Sequence, residues 1–220
     1  SVRIPIVDVN AIGSGGGSVA WIDGAGGLKV GPHSAGSDPG PACYDKGGEK
    51  PTVTDASLVL GLLDANYFAN GRLQLNNQQA HLAIEKHIAQ PMQISPEKAA
   101  SGIHRVLVSQ MSEGIRSVSV KQGFDPREFS LMALGGAGPL HACALAEELQ
   151  ITKVLVPRNP GVLSASGLLN APIEHEVSVS FNKELKRITV EEISKALEKL
   201  DIEEIGRAHS ELQSQPDLVC

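Results

Sequence analysis

One stretch of the chain, residues 131–141, constrains the fold more than any other. Its sequence, LMALGGAGPLH, is an apolar run that breaks into glycines and then resumes with the Ala/Leu-rich spacing of a helix. This order predicts a strand, a tight turn and a helix. Glycines at such a junction let a ligand approach the backbone, and the first turn of the helix offers unpaired N–H groups to negative charge. The stretch could bind a nucleotide, and it could equally be an ordinary turn that packs a helix on a strand.

The composition narrows the classes of function. The 220 residues carry a formal net charge of -6, with 41% hydrophobic, 20% charged and 3% aromatic residues. These values are typical of a soluble globular protein with an aliphatic core, whereas a general nucleic-acid binder needs a basic surface and aromatic side chains for stacking. No apolar run approaches the roughly 20 residues of a spanning helix. We therefore predict neither a nucleic-acid partner nor a membrane partner.

The cysteines indicate the redox environment of the protein, and the ends of the chain indicate how it is organised. Cys43, Cys143 and Cys220 are widely separated and form no CxxC pair, which favours a reducing, cytoplasmic environment. The sequence starts without methionine and enters an apolar segment at once, so we interpret the chain as a fragment of a longer protein. The expected organisation is a glycine-rich segment at 1–55, a helical and β-α-β segment at 56–172, and the start of a further segment at 173–220.

Capping residues predict where the helices of the middle segment begin. Thr54 or Asp55 is expected to cap a helix over residues 58–63. Ser95, followed by proline and glutamate, predicts the start of a long core helix that ends near Gly123.

The remaining periodicity predicts a parallel β-α-β unit, with a ligand at the carboxyl ends of its strands. Its parts are a strand at 129–134, a helix at 138–149 and a strand at 153–156. Outside this unit, strands are expected at 18–22 and 174–181, and a helix at 189–213.

A second glycine-rich loop lies near the start of the chain. It lacks the third glycine of a dinucleotide fingerprint, and no Lys-Ser/Thr pair follows it, so neither a Rossmann nor a Walker loop is predicted. Its amides and hydroxyls suit a phosphate or a polar cyclic substrate, and the alternative is a flexible hairpin connection. The residues of this candidate substrate loop are Gly13, Ser14, Gly15, Gly16, Gly17 and Ser18.

Five blocks of the sequence together resemble one enzyme family. They are DVNAIGSGGGSVAW at 8–21, VGPHSAGSDPGPACY at 30–44, PTVTDA at 51–56, GGAGPLH at 135–141 and PGVLSASG at 160–167. In this order, over residues 1 to about 170, they resemble the hydantoinase A/oxoprolinase family. The departures are small: Ser14 and Ser37 replace the expected alanines, and Ser57 replaces an asparagine. They leave the identity of the substrate open.

The resemblance implies a fold and cofactors. The family belongs to the actin-like ATPase superfamily, so the implied fold class is α/β, a ribonuclease-H-like subdomain with a parallel or mixed sheet flanked by helices. ATP and Mg²⁺ are the implied cofactors. The superfamily's two phosphate-binding turns, each an acidic residue followed by a Gly-Gly-Thr-like sequence, would precede this region and do not occur in it. We therefore expect the chain alone to lack ATPase activity.

The resemblance also implies a reaction. Members of the family open cyclic amides such as hydantoins or 5-oxoproline by phosphorylating the carbonyl oxygen, which water can then displace. The implied function of the longer protein is an ATP-dependent cyclic amide hydrolase, with a small cyclic amide as substrate and a hydantoinase B-like subunit or domain as partner. Two alternatives stay open. One is the ATP-using subunit of an acetone- or acetophenone-type carboxylase, and the other is a non-catalytic actin-like nucleotide-binding or assembly module.

The same resemblance implies the cofactor-binding residues. The glycine turn at 135–138 matches the superfamily's adenosine-side motif. The run of small residues at 164–167 matches a second connecting motif near the nucleotide cleft of that superfamily. His141, in the first turn of the predicted helix, could donate to a phosphate or an oxyanion, or could merely face the sheet or solvent. The predicted cofactor-binding residues are Gly135, Gly136, Gly138, His141, Ser164 and Gly167.

Four further residues are catalytic candidates on chemical grounds. Asp8, Asp38 and Asp55 could hold Mg²⁺ through water or orient a nucleophile, and His33 could donate to a phosphate or an oxyanion. Each aspartate also has a structural alternative: Asp8 could be an acid at the end of a strand, Asp38 a turn residue before proline, and Asp55 a helix cap. We interpret Cys43 as a packed or loop thiol. No zinc site is predicted, because the other histidines lack metal-like spacing: His81, His87, His104, His175 and His209.

Overall fold

The computed structural model describes residues 10–170 and 189–214. Residues 10–169 lie in one compact unit, and the described residues 170 and 189–214 belong to a second unit. The described residues of all five sequence blocks lie in the first unit. Asp8 and the predicted strand at 174–181 lie outside the described residues.

The first unit begins with a two-stranded antiparallel hairpin. Strand β1 (Ser18–Ile22) pairs with β2 (Leu28–Ser34), which confirms the predicted strand at 18–22. The carboxylate of Asp23 fixes the turn between them, since it accepts hydrogen bonds from the N–H groups of Ala25 and Gly27. Val19 also forms an isolated antiparallel bridge with Thr52, so the hairpin is joined directly to the start of the first helix.

Helix α1 (Val53–Val59) begins and ends earlier than the sequence predicts. Its N-cap is Thr52, and the expectation that Thr54 or Asp55 caps a helix over 58–63 is wrong. Thr52 and Asp55 form a reciprocal capping box, in which each side chain accepts a hydrogen bond from the other residue's N–H. Gly61, with φ +73°, takes the left-handed conformation just after the helix, where helices commonly end.

The next helices build most of the core. Helix α2 (Asn77–Ile84) continues through a π-helical turn, Glu85–Ala89, into the short helix α3 (Gln90–Met92). Helix α4 (Pro96–Lys121) confirms the long helix predicted after Ser95, whose side chain accepts from the N–H of Lys98. One face of α4 packs against the hairpin, α1 and the π-helical turn. This core includes Ala20, Val30, Val53, Ala56, Ile84, Ile88, Ile103 and Leu107.

The predicted β-α-β unit is present, with shorter strands. Strands β3 (Leu131–Met132) and β4 (Val154–Leu155) are parallel, and helix α5 (Gly138–Leu149) connects them with the predicted bounds. The predicted strands at 129–134 and 153–156 are each reduced to two residues, because within the described part of the chain these strands pair only with each other. Helix α5 covers one face of the pair, whereas Met132, Leu134 and Leu155 are exposed.

Two further helices complete the described structure. Helix α6 (Leu163–Asn170) follows a 3₁₀ turn at Pro160–Val162, and α7 (Val190–Ser214) confirms the predicted helix at 189–213. The described residues therefore form a mixed α/β structure with two small sheets. Among them, no helix is both long and apolar enough to cross a lipid bilayer.

Candidate functional site

The glycine turn at 135–138 follows β3 and opens α5. Gly135 has φ +83°, which favours glycine, and its N–H donates to the carbonyl oxygen of Pro160 at 2.8 Å. Gly136 has no positive φ, and a Cβ on it would have no atom within 4 Å. Neither the backbone conformation nor packing therefore explains glycine at position 136. The open space beside it would let a ligand reach the backbone.

The second predicted cofactor segment lies next to this turn. Ser164 and Gly167 are exposed residues of α6, the helix that begins just after Pro160. The hydrogen bond from Gly135 to Pro160 thus joins the two segments that the sequence assigns to the nucleotide. Gly138 is the first residue of α5, where a Cβ would make only an ordinary contact, at 4.0 Å from Ala133.

The His141 side chain is buried between α4 and α5 and does not face the sheet or solvent. It is 2% exposed, and its Nδ1 lies 3.1 Å from Nε2 of His104 on α4. One ring donates and the other accepts, which two fully protonated imidazoles cannot do. Burial, followed by the charge of His104, lowers the pKa of His141 from 6.5 to about 4, and burial also lowers the pKa of His104. The structure therefore places Nδ1 of His141 in a contact with His104, and the predicted contact of His141 with a phosphate stays a prediction.

His104 is the residue of this pair that the sequence analysis missed. Its spacing is unsuitable for a metal ligand, and the sequence analysis gives it no other role. Its place on α4 indicates the buried face of the helix, since it lies four residues after Ala100 and four before Val108, both of which are buried. Residues at this spacing share one face of a helix, so His104 was to be expected at the helix interface.

The glycine loop at 13–18 is held by hydrogen bonds to the rest of the unit. The Ser14 hydroxyl donates to Oε1 of Gln110 on α4, at 3.1 Å. The carbonyl oxygen of Gly16 accepts from both the N–H and the hydroxyl of Thr54, each at 2.9 Å. Within the loop, Ser18 Oγ accepts from the N–H of Gly15 at 2.9 Å. The loop is therefore a packed connection, in contrast to the flexible hairpin that the sequence left as an alternative.

Space explains two of the glycines in this loop. A Cβ on Gly16 would lie 2.9 Å from Oγ1 of Thr54, and a Cβ on Gly17 would lie 2.8 Å from Oγ of Ser34. Either contact would push the loop away from α1 or β2. Gly15 differs from them, because a Cβ there would have no atom within 4 Å. The predicted contact of this loop with a substrate stays a prediction, and the observed contacts account for Gly16 and Gly17 without one.

Asp55 is fully buried and acts as a hub of hydrogen bonds. Its Oδ1 accepts from the N–H of Cys43 at 2.7 Å, and its Oδ2 accepts from the N–H of Ala42 and from both the N–H and the hydroxyl of Thr52. Burial, and then the charge of Asp55, raises the pKa of the Cys43 thiol, so Cys43 is the packed thiol that the sequence predicts. With both oxygens engaged and no exposed surface, Asp55 fits its place in the capping box of Thr52 better than a role in Mg²⁺ binding.

The other catalytic candidates do not assemble around Asp55. Asp38 lies in an exposed turn and His33 is exposed near the end of β2. Among the described side chains, no group of three or more His, Cys, Asp or Glu residues is placed to hold a metal ion. The described residues therefore form no metal-binding cluster of their own, and we derive no step through Mg²⁺.

Of the three predicted sites, the glycine turn at 135–138 is accessible to a ligand, whereas the Asp55 hub and the glycine loop at 13–18 are held by contacts within the protein. The Asp55 hub and the glycine loop use their polar groups within the protein, whereas the glycine turn leaves its backbone accessible beside α6. An accessible turn before a helix N-terminus can bind an anionic or flat ligand through backbone N–H groups.

Comparison with known proteins assigns the chain to a family. Residues 1–177 match the hydantoinase/oxoprolinase family. The chain is 44% identical over 192 residues to an uncharacterised protein of Methanocaldococcus jannaschii, covering 87% of this chain and 28% of that protein. It is 45% identical over 175 residues to the caprolactamase subunit alpha of Pseudomonas jessenii, with coverage of 80% and 25%. To the acetophenone carboxylase gamma subunit of Aromatoleum aromaticum it is 41% identical over 175 residues, with coverage of 79% and 24%.

A solved structure agrees with these matches. The crystal structure of the ATP-dependent caprolactamase from P. jessenii aligns with a TM-score of 0.68 at 40% identity, covering 87% of this chain and 28% of that chain. The chain thus spans about a quarter of the length of the curated relatives that it matches. Because the family match includes all five sequence blocks, the chain belongs to the hydantoinase/oxoprolinase family.

Proposed function

We propose that this chain is part of an ATP-dependent enzyme that opens cyclic amides. The observation that carries the proposal is the glycine turn, where Gly136 borders open space after the carboxyl end of a parallel strand. Nucleotides in open α/β sheets bind at such strand ends. The caprolactamase of P. jessenii supports both parts of the proposal, since that enzyme is ATP-dependent and caprolactam is a cyclic amide.

In this proposal the glycine turn is one wall of a nucleotide site in a ribonuclease-H-like cleft. Gly135, Gly136 and Gly138 would border the adenosine side, with Ser164 and Gly167 at the adjacent start of α6. ATP would supply the phosphoryl group that activates the amide carbonyl. Water would then add to the carbonyl carbon, the ring C–N bond would break as the nitrogen takes up a proton, and hydrolysis of the resulting acyl phosphate would release phosphate. This chain's part would be to hold the nucleotide by backbone contacts and shape. The residues that bind the terminal phosphates and Mg²⁺ would come from outside the described residues.

A carboxylase subunit is the second candidate function. The observation in its favour is the match to the acetophenone carboxylase gamma subunit. The sequence identity of this match, 41%, is close to the 45% of the caprolactamase match. In both reactions ATP would activate a carbonyl-containing molecule, so the same nucleotide wall would serve either one. Because both relatives are named as subunits, we also propose a partner subunit, of which a hydantoinase B-like protein is one form.

The nucleotide wall can be tested on the 220-residue chain by NMR. We expect ATP to shift the amide resonances of residues 135–138, and we expect Gly136→Val to weaken ATP binding at least about tenfold, because the side chain would fill the approach to the backbone. Gly24→Val is the matched control, since Gly24 also has open space and no positive φ but lies in the β1–β2 turn. Equal ATP affinity in Gly136→Val and the wild type would contradict this placement.

Turnover can be tested with two chimeras. In one, this chain replaces the matching quarter of the caprolactamase subunit alpha, and in the other it replaces the matching quarter of the acetophenone carboxylase gamma subunit, each with its own partner subunits. Caprolactam-dependent ATP hydrolysis in the first chimera alone would support cyclic amide opening. Activity in the second chimera alone would favour the carboxylase. If both chimeras fold and bind ATP but neither turns over, the enzymatic proposal is wrong.

A further inference from the structure

A second open place lies beside the β1–β2 hairpin, and its lining residues are distant in sequence from the glycine turn. It is a cleft of about 840 Å³, which we call the Trp21 cleft, between the hairpin, the loop at 47–51 and the π-helical turn. Its lining includes Trp21, His33, Lys50 and His87. The volume lies within the range of small-molecule sites in proteins. No residue of the glycine turn lines it.

The walls of the Trp21 cleft are fixed by backbone contacts. The N–H of Ala20 donates to the carbonyl oxygen of Pro51 at 2.8 Å, which ties β1 to the end of the 47–51 loop. The indole N–H of Trp21 donates to the carbonyl oxygen of Gly31 at 2.8 Å, so the ring is held in one orientation. The indole is nevertheless 41% exposed in a chain with 3% aromatic residues. A large aromatic surface is therefore held in place and left accessible.

The chemistry of the lining is mixed. Val19, Ile22 and Pro91 contribute apolar surface, while the exposed polar groups among the lining residues include His33, Glu49 and Lys50. His87 lies on the π-helical turn, and its buried Nε2 has no hydrogen-bond partner. Irregular helical turns of this kind occur often at functional sites. A flat apolar surface with a few polar groups at its border is typical of a site for a small ring compound.

We propose that the Trp21 cleft binds the organic substrate, a small lactam, by stacking its flat ring on the Trp21 indole. This inference rests on the proposed function, and it moves the substrate from the glycine loop at 13–18, whose Ser14 hydroxyl and Gly16 carbonyl are engaged within the protein. The amide has one donor and one acceptor for polar groups such as His33. Lys50 would pair with a carboxylate on the ring, so it distinguishes acidic lactams from neutral ones.

The single tryptophan of the chain makes this proposal measurable, because its fluorescence reports on this cleft alone. The probes are 2-pyrrolidone, which is a neutral lactam, 5-oxoproline, which adds a carboxylate, and cyclopentanecarboxylate, which has the ring and the carboxylate without the amide. We expect both lactams to change the emission saturably, with Kd on the order of 1–10 mM as suits ligands of so few atoms. We expect cyclopentanecarboxylate to bind at least about tenfold more weakly.

Substitution of Lys50 provides the second part of the test. Lys50→Ala is expected to weaken 5-oxoproline about tenfold and to leave 2-pyrrolidone unchanged. Lys46→Ala is the matched control, since Lys46 is also exposed but does not line the cleft. Ala35→Leu, which places a larger side chain in the lining, is expected to weaken both lactams.

Two results would overturn the proposal. One is the absence of a saturable change with either lactam, and the other is lactam binding that is the same in the wild type, Lys50→Ala and Ala35→Leu. The ATP titration of the glycine turn does not depend on this cleft. If the chain binds ATP but no lactam, the substrate site is wrong and the nucleotide proposal stands. If it binds lactams but no ATP, the nucleotide proposal is wrong and the substrate site stands.

Discussion

The burial of His141, followed by its contact with His104, makes the stability of the fold depend on pH. The pKa of His141 is lowered to about 4 in the folded protein, against 6.5 for an ordinary histidine. As the pH falls below 6.5, the unfolded chain takes up the proton first, so protonation favours unfolding. The contribution to stability is fully present above pH 6.5, decreases as the pH falls toward 4, and changes little below that value.

The size of this effect follows from the two pKa values. The difference between 6.5 and about 4, at about 1.4 kcal/mol for each pKa unit, gives about 3 kcal/mol between pH 7.5 and pH 4. We apply this conversion to His141 alone because its side chain is 2% exposed. A small domain has a total stability of roughly 5–15 kcal/mol, so this one residue should be visible in acid unfolding.

Urea unfolding followed by circular dichroism, from pH 7.5 to pH 4, measures the effect. The comparison is with His141→Gln, whose amide can still bond to His104 but does not titrate in this range. The difference in free energy of unfolding between wild type and variant should fall by about 3 kcal/mol across the range, because carboxylate titration is common to both proteins. A difference that stays constant with pH would refute the reasoning, since it would mean that His141 is protonated equally in both states.

Three further predictions concern the packed parts of the unit. Gly16→Ala should lower the free energy of unfolding by about 1–3 kcal/mol in urea titrations, because its Cβ meets a neighbouring hydroxyl, while Gly15→Ala should change it by less than about 0.5 kcal/mol. Asp55→Ala should cost about 3 kcal/mol by the same assay, since it leaves several buried donors unpaired; full stability in this variant would exclude a hub role. A thiol reagent should label the exposed Cys143 in the folded chain and reach Cys43 only in urea, and rapid labelling of Cys43 without denaturant would contradict its burial.

Local sequence signals predicted the helices better than the strands. Ser95 caps α4 as expected, and α5 has its predicted bounds, because capping and periodicity act within a few residues of the helix itself. Strands depend on partners that are distant in sequence. The apolar runs around β3 and β4 are typical of longer strands, yet only two residues of each form the ladder among the described residues.

The contacts around the candidate site show the same distinction. That Asp55 takes part in capping a helix could be predicted from its place near an apolar run, although the N-cap itself is Thr52. Its hydrogen bond to the N–H of Cys43, by contrast, spans twelve residues of chain. The His104–His141 pair spans 37 residues and joins two helices, so no single periodic pattern contains both rings. The glycine turn and Pro160 were predicted as separate motifs. Their hydrogen bond becomes visible only when β3 and β4 lie side by side.

The Asp55 hub has a consequence for how ligand preference can change in this fold. One carboxylate holds the N–H groups of Cys43 and Thr52, so both ends of the intervening loop are fixed by a residue that the loop does not contain. Lengthening such a loop costs little, about 0.6 kcal/mol for each doubling of its length. The exposed residues of this loop, 45–47 and 49–50, are therefore an exchangeable part on a constant frame, whereas Pro51 stays bound to the N–H of Ala20. Loops grafted between Tyr44 and Pro51 should alter which small molecules bind while the hairpin and α1 keep their places.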